Sequence, residues 1–426
     1  GNIPGAMALK VDPTVLVDLA KKVNPVAVIS GTNGKTTTTN LVADCLQTAG
    51  VPLYCNREGN NLQSGIVTSL MLAPDTSKVV DAASAAHAPV GCFECDEMYT
   101  KYVLPRLRPH YFMLLNLFRD QLDRFGEIDR IQATIAEALA KTPETTFVFN
   151  GDDPLCAAIA DRIPNKSLAF GIASDMGLSA DRISDSRFCQ KCGGALEYDY
   201  VHYGQLGAYR CPDCGWARPE LAFAATNVRL EEDGFVFDID GRSVHTGHTG
   251  AYMVYNVLAA YAISKLSNIV PFENYQAAVR EYHPTNGRLQ TFDLGERKVM
   301  TNLAKNPTGF NQNIRIVLNE RGRVLALFVN DNDADGHDVS WFWDIDFERW
   351  SQIEGLRAFV GGTRANDMQV RLKYAGIQAE IVENVADVLA ATNADDGKVY
   401  IIANYTALPA VRRELEGLEA AAKGEE

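Results

Sequence analysis

The chain lacks the long apolar run that crossing a bilayer demands. No stretch of its 426 residues reaches the ~18 apolar residues of a membrane span, and no signal-peptide hydrophobic segment is present. Positive charge is also short. Lys and Arg total 40 against 54 Asp and Glu, a formal net charge of −14, so the basic face that nucleic-acid phosphates require is missing. No basic amphipathic helix is evident that would hold the chain on an anionic membrane by itself. Nine cysteines, an odd and sparse set for this length, do not make a disulfide framework. Five of them (Cys45, Cys55, Cys92, Cys95, Cys156) sit in or beside apolar segments, where buried free thiols are expected. These absences together predict a soluble protein of the reducing cytoplasm. Hydrophobic residues at 46% and charged residues at 22% are ordinary for a globular chain, long enough for two or three domains.

Against that background, residues 26–37 (Val-Ala-Val-Ile-Ser-Gly-Thr-Asn-Gly-Lys-Thr-Thr) stand out. A short apolar run, Val26–Ile29, breaks into a glycine-punctuated loop, and a helical pattern follows through Leu41, Val42, Cys45 and Leu46. Strand, loop and helix in this order make a phosphate cradle. Backbone N–H groups of Gly31, Thr32, Asn33, Gly34 and Thr37 and the helix N-terminus face the anion, Lys35 adds a point charge, and the Thr36 hydroxyl can ligate Mg²⁺. The general pattern wants a glycine five residues before the Gly-Lys pair; that position is Ile29, and the first glycine is Gly31. A shorter Gly-Thr-Asn-Gly-Lys-Thr form takes its place, and it predicts a nucleoside triphosphate site.

Further strand-like runs, Val90–Phe93, Tyr111–Leu117 and Thr146–Phe149, alternate with helical stretches, which predicts an open parallel α/β sheet with ligands at the carboxyl ends of its strands. Polar residues follow each run: Glu94, Asn116, and Asn150 with Asp152 and Asp153. Such residues at one sheet edge are candidates to reach a phosphate or a metal. Phe223–Gly241 reads as strands with a turn at Asp233-Gly234, and residues 250–264 as a long helix. Beyond the turn at Asn286-Gly287-Arg288 a second α/β unit is expected, with strands at Val324–Val329, Ala358–Val360 and Val399–Ala403. The domain division is expected near residue 290, giving residues 1–290 and 291–426.

Residues 186–220 interrupt the α/β pattern. Cys189-Gln-Lys-Cys192, 18 intervening residues and Cys211-Pro-Asp-Cys214 have zinc-ribbon spacing. Four thiolates close a tetrahedron with no position left for water, so the expected Zn²⁺ is structural. Gly193-Gly194 and Gly215 supply tight backbone after each pair. His245 and His248 read as loop residues rather than ligands.

The motifs resemble those of the Mur ligase superfamily, which joins an amine to a carboxylate at the expense of ATP. The resemblance lies in the phosphate loop, in Phe93-Glu94, in Asn116 to Gly126 (with Gln121 where histidine is usual, and Asp120 and Asp123), in Asn150-Gly-Asp152-Asp153, in Gly250 to Ala260, and in Gly287-Arg288. It implies that Glu94 ligates Mg²⁺ with Thr36, that Asn256 contacts adenine, and that Arg288 reaches the phosphates. With the phosphate loop so near the start, it implies no N-terminal UDP-binding domain.

The four-cysteine insert, Leu303–Phe310 and the segment Asp335-Gly-His-Asp338-Val-Ser-Trp341-Phe-Trp343-Asp344 are similar to the branch that forms the synthetase subunit of lipid II isoglutaminyl synthase. That branch implies a heterodimer with a GatD-type glutamine amidotransferase and a lipid II substrate at the inner membrane face. It also implies an aspartate, Asp338 or failing that Asp344, that completes the partner's catalytic triad. Trp341 and Trp343 alternate with their neighbours at strand spacing, as core residues or as an aromatic platform. Two other classes share parts of the pattern. A stand-alone ligase of the folylpolyglutamate synthetase type has the same phosphate loop without this insert, and a nucleotide-switched scaffold would use the ribbon for docking.

Overall fold

The structure is a computed structural model that describes residues 2–79, 88–119, 128–182, 184–284 and 287–424. It divides into two compact units. Of the described residues, the first comprises 2–79, 88–119, 128–180 and 184–282, and the second comprises 181–182, 283–284 and 287–424. Among the described residues no helix is long and apolar enough to cross a membrane.

The strands of the first unit are β1 (Asn24–Ser30), β2 (Leu53–Cys55), β3 (Val90–Glu94), β4 (Tyr111–Leu114), β5 (Thr146–Asn150), β6 (Ser167–Ile172), β7 (Glu197–Tyr203), β8 (Leu206–Arg210), β9 (Leu221–Glu231), β10 (Gly234–Ile239) and β11 (Arg242–His245). Nine of them form one sheet in the order β11-β10-β9-β6-β5-β4-β1-β3-β2. From β2 to β9 neighbours run parallel; β10 and β11 fold back antiparallel at one edge. The inner parallel strands β1, β3, β4 and β5 are buried on both faces and are rich in Val, Ile, Leu and Phe, as crossover helices on both sides require. The chain leaves β1 toward β2 and β3 on one side and toward β4, β5 and β6 on the other. This reversal opens a crevice at the carboxyl end of β1, the usual place for a ligand in such a sheet.

Strand β4 is shorter than the apolar run suggests. It ends at Leu114: beyond it Asn116 and Phe118 bond to the loop after β1, and Leu117 bonds to Asp153 instead of a strand. β7 and β8 form a separate hairpin within the cysteine insert.

The second unit has β12 (Gln290–Asp293), β13 (Lys298–Leu303), β14 (Val324–Phe328), β15 (Arg357–Gly361), β16 (Ala379–Ile381) and β17 (Val399–Ala403) in the order β12-β13-β17-β14-β15-β16, with β12 antiparallel and the rest parallel. Its core packs Phe292, Val324, Phe328, Phe359 and Ile401 against Val385, Leu408 and Val411 of two helices. Trp341 and Trp343 do not lie on a strand. Ser340–Asp344 is a 3₁₀ turn that buries Phe342, while Trp343 is half exposed and rests on Tyr374. The terminal helix runs Leu408–Lys423.

Candidate functional site

The loop after β1 is built for close approach. Gly31 has φ +134°, and a Cβ there would lie 3.0 Å from the Asn116 carbonyl oxygen; Gly34 has φ +87°, and a Cβ there would lie 2.5 Å from Asn256 Oδ1. The helix Lys35–Thr48 that follows has no side-chain cap and no acid in its first turn. Its leading N–H groups therefore carry the partial positive charge of a helix N-terminus, which suits an anion.

The loop is held from outside. Asn116 brackets Asn33: the Asn33 N–H donates to Asn116 Oδ1 at 2.9 Å, and Asn116 Nδ2 donates to the Asn33 carbonyl at 3.0 Å. Thr32 N–H donates to the Asn116 carbonyl at 3.0 Å, and Thr32 Oγ1 accepts from the Phe118 N–H at 2.9 Å.

Lys35 and Thr36, adjacent in sequence, reach different carboxylates. Lys35 Nζ donates to the Gly31 carbonyl at 2.5 Å and to Glu97 Oε1 at 3.0 Å. Burial alone would lower its pKa, but Glu97, then Glu94 and Asp96, outweigh that and hold it above the ordinary lysine value. Thr36 Oγ1 donates to Glu94 Oε2 at 2.6 Å, and Asn61 Nδ2 donates to Glu94 Oε1 at 3.0 Å. Asn56 grips the Glu94 backbone on both sides, accepting from its N–H and donating to its carbonyl, each at 2.8 Å. Gly59 lies over this pair, and a Cβ on it would come within 3.1 Å of Thr36 Oγ1 and 3.5 Å of Glu94 Oε2.

A hydroxyl and a carboxylate meeting beneath a side-chain-free position are hard oxygen donors of the kind Mg²⁺ takes, so these residues fit that ion. Asn56, Gly59, Asn61 and Glu97's hold on Lys35 are the parts that sequence reasoning missed. The run Asn56-Arg-Glu-Gly-Asn-Asn61 directly after β2 was the available signal.

Asn256 is buried on the helix Tyr252–Ser267 and faces the same turn, its Oδ1 accepting from Thr38 Oγ1 at 3.3 Å. Thr37 is buried in the first helical turn. Asn150, Asp152 and Asp153 behave differently from expectation: they do not line the crevice but are fully buried. Asn150 Nδ2 donates to the Leu115 carbonyl. Asp152 accepts from Arg218, Tyr255 and the Ile172 N–H. Asp153 caps the helix Pro154–Ala160 and accepts from the Leu117 N–H. Burial pushes both carboxyls up to about 6, and at Asp152 it outweighs the pull of the Arg218 guanidinium at 3.1 Å. The segment with Asp120, Gln121 and Asp123 lies outside the described residues.

The four insert cysteines converge, with their sulfurs all within 4.8 Å of one another. Cys189 and Cys214 sulfurs are 3.6 Å apart, and Cys192 and Cys211 sulfurs 3.5 Å apart. A tetrahedron of zinc–sulfur bonds of about 2.3 Å has edges of about 3.8 Å, so the set fits a four-coordinate zinc. Both knuckles close alike: Gly193 N–H donates to the Cys189 carbonyl and Gly215 N–H to the Cys211 carbonyl, each glycine at positive φ. Of the other five cysteines, four are buried and Cys55 is half-buried.

In the second unit, Arg288 is half-buried in a turn fixed by Gly287 N–H to Gln290 Oε1 and Leu289 N–H to Asn302 Oδ1. Asn306 caps the helix Pro307–Asn319. The acids between Asp331 and Asp346 have distinct surroundings. Asp335 is buried and holds Thr406, Asp346 is buried, and Asp344 is half-buried. Asp338 is exposed. Hydrogen bonds from Ser340, one of them from its N–H at 2.8 Å, hold its carboxyl below the usual range.

Residues 29–264 match the Mur ligase middle domain, and residues 303–408 match the MurT ligase C-terminal family. The chain is 33% identical over 419 residues to the lipid II isoglutaminyl synthase (glutamine-hydrolyzing) subunit MurT of Staphylococcus aureus (strain N315), covering 97% of this chain and 92% of that one. Its identity to the subunit of the same name from Streptococcus pneumoniae (strain ATCC BAA-255 / R6) is 34% over 415 residues, 96% of this chain and 90% of that one. A pseudomurein peptide ligase type C from Methanothermus fervidus superposes with a TM-score of 0.69 at 18% identity, over 94% of this chain and 80% of that one. MurF ligase from Thermotoga maritima in complex with ADP gives 0.62 at 14% identity, over 98% and 85%. At such identities the structural matches speak to the fold alone.

Proposed function

This chain belongs to the Mur ligase family, in its MurT branch, and from that premise we propose that it amidates the α-carboxylate of D-glutamate in the lipid II stem peptide to D-isoglutamine. It is a ligase of peptidoglycan synthesis, of a family that binds ATP and Mg²⁺. The ammonia comes from glutamine hydrolysed by a GatD-type partner, with which it forms a heterodimer. The observation that carries this reading is the convergence of Lys35 and the Thr36–Glu94 pair at one phosphate loop, in a chain whose residues 303–408 are of the MurT type.

A carboxylate does not react with ammonia at neutral pH, because oxide would have to leave. Activation puts phosphate in its place: a carboxylate oxygen attacks the γ-phosphorus of ATP and ADP departs. Ammonia then adds to the acyl carbon, phosphate leaves, and the nitrogen loses a proton. Such chemistry asks the protein for position and charge more than for covalent bonds. The amides of Gly31, Thr32, Asn33, Gly34 and Thr37 cradle the phosphates. Lys35, already cationic, turns from Glu97 toward the β- and γ-phosphates, and the family resemblance gives Arg288 a phosphate-binding role. Asn256 borders the nucleotide. Thr36 and Glu94 would hold Mg²⁺, which when bound would neutralise phosphate charge. Cys189, Cys192, Cys211 and Cys214 would hold a structural Zn²⁺.

Asp338, exposed and kept ionised, orients the histidine of the partner's glutaminase triad; Asp344 is the runner-up, and its partial burial makes it the less accessible. The chain works at the inner membrane face, where its lipid-linked acceptor lies.

The test is co-expression with a GatD-type glutaminase and mass spectrometry of lipid II supplied with ATP and glutamine. Exchange of one hydroxyl for one amino group, abolished by Lys35→Ala, is expected. Asp338→Asn loses glutamine-driven turnover and keeps activity with added ammonia. ATP-dependent gain of a whole amino acid on another acceptor would move the chain to the amino-acid-adding ligases and overturn the proposal.

A further inference from the structure

The chemistry above gives the cysteine ribbon no task, since four closed thiolates neither bind ATP nor handle ammonia. Its packing suggests one. Cys189, Tyr209, Cys211 and Trp216 belong to the main core of the first unit, so the ribbon is rooted in it rather than standing off as a surface knob. The hairpin β7–β8 turns over at Tyr203-Gly204-Gln205-Leu206, and this tip is buried.

The tip ends against the peptide that holds the phosphate loop. Gln205 Nε2 donates to the Leu117 carbonyl at 2.7 Å and reaches Asp153 Oδ1 at 3.3 Å, while Asp153 Oδ2 accepts from the Leu117 N–H at 2.8 Å. Leu117 is therefore fixed at both its N–H and its carbonyl. Gly204, at φ +55°, lies so close to the Phe118 ring that a Cβ would come within 2.6 Å. The Phe118 N–H is the group that donates to Thr32 Oγ1 of the loop.

A second arm runs from Arg218, just past the second knuckle, to Asp152 Oδ1 at 3.1 Å. Tyr255 donates to Asp152 Oδ2 at 2.8 Å, and its neighbour Asn256 faces Gly34. Gln205 is a costly choice for stability alone. Its Oε1 is buried without a hydrogen-bond partner, so only the donor half of the amide is used.

We propose that the ribbon braces the phosphate loop, with Gln205 as the positioning residue: the closed knuckles hold the hairpin, the hairpin holds Leu117-Phe118, and that peptide holds Thr32. The brace rests on reading residues 31–37 as the ATP phosphate site.

The test measures, by calorimetry on the full zinc-loaded chain, binding of a non-hydrolysable ATP analogue with Mg²⁺. Gln205→Met keeps volume and removes the donor; affinity should fall about 3- to 10-fold, the worth of one neutral hydrogen bond. Trp216→Phe removes the indole's bond to Asp161 at 2.9 Å and serves as the stability control, expected to lower Tm while leaving affinity within about twofold. Should Gln205→Met fail to fold, Gln205→Asn, one methylene too short for Leu117, is read the same way; failure of both makes Gln205 a folding residue and overturns its assignment. Unchanged affinity in a folded Gln205 variant overturns the brace and leaves the phosphate-site reading intact. If the wild-type chain and Lys35→Ala alike bind no analogue, the phosphate-site reading falls and the brace with it.

Discussion

The Lys35–Glu97 pair offers a sharp energetic test of the site. The two side chains are 10% and 11% exposed and 3.0 Å apart, which puts them among buried rather than surface ion pairs. Glu94 and Asp96 add negative charge around the same ammonium. Lys35→Met keeps the aliphatic stem and removes the charge, leaving the carboxylates crowded without a counterion. Breaking a buried pair from one side costs about 3–5 kcal/mol; Glu97 can relieve part of this by taking a proton, so we expect about 3 kcal/mol. Replacing both partners removes the orphaned charge, and Lys35→Met/Glu97→Gln should lie within about 1 kcal/mol of wild type. The double-mutant cycle then carries a coupling of roughly 2 kcal/mol or more. The assay is urea unfolding of the four proteins at pH 7 without nucleotide. If each single change costs under about 1 kcal/mol and the double variant equals their sum, the pair is only a surface contact and the reasoning fails.

Burial raises Asp152 and Asp153 to about 6, well above an unfolded aspartate near 3.9, so the folded state holds these protons more tightly. Their penalty on folding is absent below about pH 4, grows as pH rises through about 6 and is full above it; the loss of Tm from pH 5 to pH 7 should shrink in Asp153→Asn, and equal slopes would refute the assignment. The ribbon should carry one zinc per chain by elemental analysis, falling below half in Cys211→Ser. Because Cys211 and Trp216 are core residues, stripping the metal should lower Tm by on the order of 10 °C; an unchanged melt would show the fold to be independent of the metal. Glu94→Gln replaces an anionic carboxylate ligand by a neutral amide and should cut kcat about 100-fold or more while raising the Mg²⁺ concentration needed, and normal turnover at ordinary Mg²⁺ would count against Glu94 as ligand.

The features legible in the sequence are those whose geometry is local. The phosphate loop and both cysteine knuckles are set by a few adjacent residues, and the structure brings Lys35, Thr36 and Glu94 together as the motif suggests. What holds them comes from elsewhere in the chain: Asn56 and Asn61 from beyond β2, Asn116 from beyond β4, Gln205 from inside the insert. No periodicity announces such partners. Asp152 and Asp153 mislead because a polar residue at a strand end looks the same whether it faces a crevice or a core. Asp153-Pro154 does carry a discriminating mark, a helix cap followed by proline at the first helical position. The aromatic alternation at Trp341 and Trp343 fits a strand on paper, but over five residues it does not exclude the 3₁₀ turn that forms.

The missing glycine at position 29 also has a structural cause. Ile29 is still within β1, paired with Glu94 of β3 on one side and Met113 of β4 on the other, so the strand runs on to Ser30 and the loop starts at Gly31. A glycine at position 29 would remove a buried side chain from between two strands. The late start leaves fewer residues before the helix, so the loop is fixed by Asn116 and Phe118 from outside rather than by its own turns. The same register sets Glu94 beside the root of the loop, one helical residue away from Lys35 at Thr36. The shortened glycine spacing and the strand-end glutamate are therefore one feature: extending β1 shortens the loop and brings the carboxylate to the hydroxyl.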